Sequence, residues 1–269
     1  MNDFENKFLV GDCVEIMKGF DDSYIDLVVT SPPYDNLRKY KGYSFDFEIT
    51  AIQLYRIMKN GGVVVWVVAD STVSGSETGT SFRQALLFKE IGFNLHDTMI
   101  YKSEKPPLTH NRYEQKFEYM FVFSKGKPKT FNPIMEKCKY AGSSTDRPKT
   151  KKGSRSDNSA IRSKDGGGKV VKEYKIKGNI WEYKTGGGHS SRDKIAFNHP
   201  AIFPEELASD HIISWSNPGD FVLDPFCGSG TTCKMAHLNN RKWIGIDISE
   251  EYVKIGMERI NMIEGNNGN

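Results

Sequence analysis

The sequence predicts an α/β fold, a doubly wound and mostly parallel sheet carrying one long basic insertion. Three observations carry this expectation. Apolar strand runs alternate with helix-spaced apolar residues on both sides of the middle of the chain. The run Val63-Val64-Val65-Trp66-Val67-Val68 is apolar throughout, as a strand covered on both faces must be. The glycine-rich turn Asp224-Pro225-Phe226-Cys227-Gly228-Ser229-Gly230-Thr231-Thr232 joins a strand to a helix.

The elements follow in order. Phe8-Leu9-Val10 reads as a short strand ending at Gly11-Asp12, and Ile25–Thr30 as a strand ending at Ser31-Pro32-Pro33-Tyr34. Residues 49–59 carry Ile52, Tyr55, Ile57 and Met58 at helical spacing, and Gly61-Gly62 is expected to stop that helix. The strand 63–68, a helix over 81–91 and strands over 93–101 and 117–123 come next. From Lys125 to Lys194 the chain turns rich in Lys, Gly and Ser, with short β signals at 169–176 and 179–183. Regular structure resumes with a helix over 204–215, a strand over 221–224, the glycine turn and its helix, a strand over 243–247 and a helix over 250–262. The expected division is 1–124 and 196–269 as two halves of one domain, with 125–195 inserted between them.

Composition narrows the class. The chain has 269 residues, enough for one large domain plus an insertion. No apolar run approaches the ~18 residues of a membrane helix, and Met1-Asn2-Asp3-Phe4-Glu5 lacks the basic-then-apolar pattern of a secretion leader. Cys13, Cys138, Cys227 and Cys233 match neither a zinc site nor a disulfide framework, which fits a reducing cytoplasm. The net charge of +3 conceals a split: residues 125–195 hold 19 Lys+Arg against 7 Asp+Glu, or +12, and the remainder 18 against 27, or −9. A basic segment on an acidic body points to a polyanion at one place, or else to a solvated loop.

Two turns carry candidate chemistry. At the glycine turn, Gly228 and Gly230 let a ligand approach the backbone, and the following helix offers free N–H groups to an anion. Thr231 and Thr232 are expected to add hydroxyl donors, and Asp247, 19 residues after Gly228, is placed to accept ribose hydroxyls. Cys233 stands where a dinucleotide fingerprint wants a third small residue, so a nicotinamide enzyme fits poorly. Alone, the turn also reads as an ordinary tight strand–helix connection. At Ser31-Pro32-Pro33-Tyr34, the prolines fix the backbone and leave carbonyl oxygens free. An amine could donate to the Ser31 side chain and the Pro32 carbonyl, with Tyr34 stacked on a flat ring. That segment alone also reads as a Pro-Pro turn with a packing tyrosine.

Together the two turns resemble the amino-methyltransferases of DNA in their permuted β-class order: catalytic motif, target-recognition region, cofactor motif. Gly11-Asp12-Cys13 looks like the N-terminal Gly-Asp element of that family, which implies Asp12 near the adenine amine of the cofactor, with Cys13 beside it. Ile244–Ile248 looks like its ribose-binding strand, with Asp247 and Ile248 at the cofactor. His199-Pro200-Ala201-Ile202-Phe203-Pro204 resembles the segment before the cofactor motif. The resemblance covers roughly 7–124 and 196–262 and implies a circularly permuted Rossmann-like fold binding S-adenosylmethionine through Asp224, Phe226, Gly228, Gly230, Thr231 and Thr232 as well.

The implied reaction transfers a methyl group from the sulfonium to the exocyclic amine of a base flipped out of double-stranded DNA. Methylation at a cytosine ring carbon would need a cysteine nucleophile, which in that family follows a proline; here the cysteines follow Asp12, Lys137, Phe226 and Thr232. Ser31 at the head of the catalytic motif leans toward N4-cytosine, with N6-adenine the alternative. Lys149, Lys151, Lys152, Arg155 and Arg162 are candidates for phosphate contact, and Arg38 and Lys39, with Tyr40 and Tyr43, for a loop near the flipped base. An RNA or protein methyltransferase and a non-catalytic DNA-binding module are the rivals. The resemblance also implies a bacterial or phage source, a homodimer and a restriction endonuclease partner as expectations.

Overall fold

The computed structural model describes residues 4–33, 46–103, 113–143, 170–186 and 188–266. In chain order the elements are β1 Lys7–Val10, α1 Cys13–Met17, β2 Ile25–Thr30, α2 Phe47–Ile57, β3 Met58–Val68, β4 Thr72–Val73, β5 Ser76–Glu77, α3 Thr80–Ile91, β6 Asn94–Ser103, β7 Phe117–Ser124, β8 Met135–Lys137 and β9 Tyr174–Ile176. They continue with β10 Ile180–Tyr183, a 3-10 turn Lys194–Asn198, α4 Glu205–Trp215, β11 Phe221–Asp224, α5 Thr231–Leu238, β12 Lys242–Asp247 and α6 Glu250–Asn266. The chain forms two compact units, residues 133–178 and all the rest.

In the larger unit eight strands pair in the order β1-β12-β11-β2-β3-β7-β6-β10. The pairs from β1 to β3 are parallel, β7 runs antiparallel to both β3 and β6, and β10 returns parallel to β6. From β11 the chain passes through α5 to β12 on one side, and from β2 through α2 to β3 on the other. The order therefore reverses between β11 and β2, and in an open α/β sheet the crevice for a ligand opens at such a reversal. The expected mostly parallel, permuted sheet is the one observed.

Alternate residues of the strands feed two faces. Val28, Val64, Trp66, Phe121 and Phe123 pack against α1, α2 and α3, where α2 buries Ala51, Leu54 and Ile57 at helical spacing. Trp66 is fully buried, and its indole donates to Gln84 Oε1 at 2.9 Å. The opposite face is covered by α4, α5 and α6. The edge strand β10 alternates, burying Trp181 and Tyr183 and exposing Ile180 and Glu182. Burial and the neighbouring Asp210 push the Tyr183 phenol well above its ordinary pKa, and its hydroxyl donates to Asp210 Oδ2 at 2.7 Å. The smaller unit holds an antiparallel pair, with Glu136 opposite Lys175 and joined to it at 2.8 Å.

Two local readings change. The α2 helix ends at Ile57, and Gly61-Gly62 lies inside β3 instead of stopping a helix. Pairing with β2 jumps there from Ile25↔Met58 to Leu27↔Val63, a bulge. Gly61 takes φ +84° and accommodates the segment at Lys127–Lys129, which a Cβ would meet at 2.8 Å. The short helix α1 was also unanticipated; Asp12 caps it, accepting from Val14 N at 2.9 Å and Glu15 N at 3.0 Å.

Phe8 on β1 occupies a niche made by glycines of three elements. A Cβ added at Gly230, Gly245 or Gly256 would lie 2.7–2.8 Å from its ring. A Gly256→Ala substitution therefore sets about 1 kcal/mol of gained helix propensity against roughly 1–3 kcal/mol of overpacking. We expect a net loss of stability in urea unfolding. Gly265→Ala, whose Cβ meets nothing within 4 Å, serves as control and should be neutral or slightly stabilising.

Candidate active site

Four parallel strands end side by side and deliver the predicted corners to one sheet edge: Asp12 after β1, Asp247 on β12, the glycine turn after β11 and Ser31 after β2. At ~4.8 Å per strand this edge spans about 15 Å, the scale of an adenosine with its side chain.

The corner between β11 and β2 is held by a buried carboxylate. Asp224 is 1% exposed. Its Oδ1 accepts the Thr30 hydroxyl at 2.6 Å and the Phe226 N–H at 3.1 Å. Burial pushes its pKa up to about 6, against the lowering effect of those hydrogen bonds and one from Thr232. The Thr232 hydroxyl donates to Val29 O at 3.0 Å, a second tie from the glycine turn to β2. The serine–proline corner thus begins one residue beyond a hydrogen bond to the head of the cofactor motif. Ser31 and Pro33 are half-buried and Pro32 is buried.

Asp247 braces the other side. Its Oδ2 accepts from Gly228 N at 2.9 Å and its Oδ1 from Ser249 N at 2.8 Å. Its backbone carbonyl accepts from Gly11 N at 3.0 Å, while Cys227 N donates to Ile246 O at 2.8 Å. Burial raises the Asp247 pKa, offset by those two amide donors. Each carboxylate oxygen has a second lone pair available to a ligand hydroxyl. Gly228 and Gly230 have φ +49° and +75°, left-handed conformations that suit glycine. His199 packs against the turn, since a Cβ at Gly228 would lie 2.7 Å from its Nε2. Its Nδ1 accepts from Ala201 N at 3.1 Å, which leaves the proton on Nε2.

Behind the turn lies a group that sequence reasoning missed. Arg259 is fully buried. Its Nη1 donates to Ser229 O at 2.6 Å and Thr231 Oγ1 at 3.1 Å, its Nε to Asp193 Oδ2 at 2.9 Å and its Nη2 to Glu205 Oε1 at 2.6 Å. Lys234 Nζ lies 2.7 Å from both Asp193 Oδ2 and Glu205 Oε1. Burial would raise the Asp193 pKa, but the hydrogen bonds and charges of Lys234 and Arg259 outweigh it and hold that carboxyl low. A sequence signal for Arg259 existed. It follows Tyr252 and Gly256 at core-facing helical spacing, where a lone charge implies a buried partner.

The expected residues thus sort by what they touch. Thr231 and Thr232 turn their hydroxyls inward, to Arg259 and Val29, instead of presenting donors to a ligand. Asp224 faces Thr30 from the interior. Ile248 is 39% exposed beside Asp247, Phe226 is half-buried, and Asp12 is exposed. Cys13 is buried, and desolvation followed by the charge of Asp12 pushes its thiol up to about 12. Burial likewise raises Cys227 and Cys233, so none of the three supplies a thiolate at neutral pH. Tyr34, Arg38, Lys39, Tyr40, Tyr43, Lys149, Lys151, Lys152, Arg155 and Arg162 lie outside the described residues.

A pH prediction follows from Asp224. Its folded pKa is raised, so its contribution to stability is full below the ordinary carboxylate range and is lost as pH rises through about 6. Above that value the Thr30 hydroxyl supports a buried anion. Thr30→Val should cost roughly 1.5–3 kcal/mol where Asp224 is ionised and nearer 1 kcal/mol where it is protonated. Urea unfolding at pH 8 and pH 5 measures the difference, and an equal loss at both would remove Thr30 as the partner of the charged form.

Known proteins agree with this geometry. A family model described as DNA methylase, covering N6- and N4-methylating enzymes, matches residues 25–258. The orphan methyltransferase M.BamHII of Bacillus amyloliquefaciens is 56% identical over 254 residues, covering 93% of this chain and 90% of its own. Among solved structures, the cytosine-N4-specific PvuII DNA methyltransferase superposes with a TM-score of 0.67 at 21% identity, over 94% of this chain and 85% of its own. TTHA0409 of Thermus thermophilus, a DNA modification methylase complexed with S-adenosyl-L-methionine, superposes with a TM-score of 0.61 at 23% identity, over 95% of this chain and 94% of its own. The chain belongs to the N6/N4 DNA methylase family, the amino-methylating DNA methyltransferases whose methyl donor is S-adenosylmethionine.

Proposed function

We propose that this chain methylates the exocyclic N4 amine of cytosine in double-stranded DNA. The observation that carries the reading is the serine–proline corner, hydrogen-bonded through Thr30 to the head of the cofactor motif. The donor set fits the cofactor chemically. Asp247 offers free lone pairs to ribose hydroxyls, Asp12 is exposed for the adenine amine, Ile248 and Phe226 present apolar surface, and the first turn of α5 presents N–H groups to the carboxylate.

When bound, S-adenosylmethionine supplies a methyl group already activated by the sulfonium. The residues of this chain orient the acceptor. The Ser31 side chain and the Pro32 carbonyl accept the two amine hydrogens, which draws the nitrogen lone pair out of conjugation and aims it along the sheet edge. Tyr34 stacks on the extruded base. The hydroxyl of Ser31, able to accept and donate, passes the released proton toward solvent. A neutral hydroxyl at this position favours cytosine in the resembled family, and N6-adenine is the other outcome of the test.

The basic region 125–195, with Lys149, Lys151, Lys152, Arg155 and Arg162, is assigned to target recognition, and Arg38 and Lys39 to the strand beside the flipped base. Their phosphate contacts offset the cost of extrusion, which makes binding strongly salt-dependent. We place the enzyme in the bacterial cytoplasm, as a homodimer. The name of M.BamHII supports action without a paired restriction endonuclease.

Nucleoside analysis of duplex DNA incubated with the purified chain and S-adenosylmethionine should show N4-methylcytosine. N6-methyladenine would move the assignment to adenine, and methylation confined to RNA or protein would end it. Tyr34→Ala should lower kcat by about 10²-fold or more with little change in cofactor affinity, and Asp247→Ala should do the reverse. Equal losses of cofactor affinity in both would contradict these roles.

A further inference from the structure

The four buried charges behind the glycine turn call for an explanation beyond packing. Arg259 is fully buried and the Lys234 side chain is 8% exposed, yet each is matched to the same two carboxylates, Asp193 and Glu205. Two cations face two anions, so the group is neutral as a whole. Apolar side chains of similar volume would pin α5 to α6 as well or better, because buried ion pairs seldom repay their desolvation. Its position is also particular. Arg259 Nη1 holds the carbonyl of Ser229, the residue between the two left-handed glycines, at 2.6 Å, and the Thr231 hydroxyl at 3.1 Å. Any net charge here would lie one peptide unit behind the cofactor motif, with little water to screen it.

The two forms of the cofactor differ in charge. S-adenosylmethionine has a sulfonium and an ammonium against one carboxylate. The thioether product has lost the sulfonium charge and is neutral overall. We propose that the Arg259–Lys234–Asp193–Glu205 quartet sets the discrimination between methyl donor and thioether product by holding the charge behind the glycine turn at zero. This rests on the cofactor reading given above. The four are positioning residues: they act through the Ser229 carbonyl and through their field, without touching the reacting atoms.

Calorimetric titration with S-adenosylmethionine and with S-adenosylhomocysteine, at about pH 8, tests the idea. Glu205→Gln leaves a net cation behind the turn and should lower the donor-to-product affinity ratio about three- to tenfold. Asp193→Asn removes the same charge from a more exposed position and should shift the ratio in the same direction. Lys234→Met leaves a net anion and should raise it. The Lys234→Met/Glu205→Gln double variant is neutral again and should return the ratio to within about twofold of wild type, even where both affinities have dropped. A ratio measured on one preparation does not depend on the fraction folded. Single variants that weaken both ligands equally, or a double variant shifted as far as either single one, would overturn the proposal. A wild-type chain that binds neither ligand would instead defeat the cofactor reading.

Discussion

The hydrogen bond from the Thr30 hydroxyl to the buried Asp224 carboxylate, at 2.6 Å, is the constraint on which the site depends. Backbone pairing between β2 and β11 extends over only Val222↔Leu27 and Leu223↔Val28, against four residue pairs for β1 with β12 and four for β11 with β12. The ladder stops where the strand order reverses and the crevice opens. Beyond it, a side-chain bond keeps the two strand ends together, and Thr232 on Val29 O adds a second. Residues 31 and 226 are 195 positions apart in sequence, so nothing local could fix their separation. The cost of this arrangement is a carboxylate held out of water, visible in its raised pKa.

The glycine turn is braced from three directions, each by a charged side chain accepting or donating to backbone. Asp224 holds Phe226 N, Asp247 holds Gly228 N, and Arg259 holds Ser229 O. Residues 226, 228 and 229 are therefore constrained before any ligand arrives. A loop fixed in this way loses little entropy on binding. It also explains why Thr231 and Thr232 face inward: their hydroxyls secure the turn, and ligand contact is left to backbone N–H groups and strand-end carboxylates.

Much of this was legible in the sequence because it is written in local signals. An all-apolar run such as 63–68 cannot be an exposed strand, and a Gly-x-Gly between a strand and a helix needs the backbone freedom seen at Gly228 and Gly230. What escaped were matters of long-range contact. The Gly61-Gly62 pair looks like a helix stop, and only the approach of Lys127–Lys129 makes it a bulge. Asp193 lies in a stretch of basic, glycine-rich sequence where nothing marks it as half of a buried pair, and Thr30 is one more β-branched residue in a strand. Asp12, read as a ligand residue, also caps α1, a helix too short to announce itself by periodicity.

The permuted order becomes intelligible from the same sheet. The chain enters at β1 and leaves through α6, and these two elements pack together, so the cut in the Rossmann-like order falls between neighbours. Moving the termini there separates the serine–proline corner from the cofactor motif in sequence without separating β2 from β11 in space. It also leaves the long basic segment between β7 and β10. The larger unit is left at Asn132, whose N–H donates to Ser214 O at 2.8 Å, and rejoined at Asn179 on the way into the edge strand β10. Both attachment points belong to the antiparallel end of the sheet, away from the Asp224–Thr30 bond between β11 and β2. A segment joined there can change length and charge without disturbing the hydrogen bonds that define the crevice, so sequence readout and methyl transfer can be altered independently.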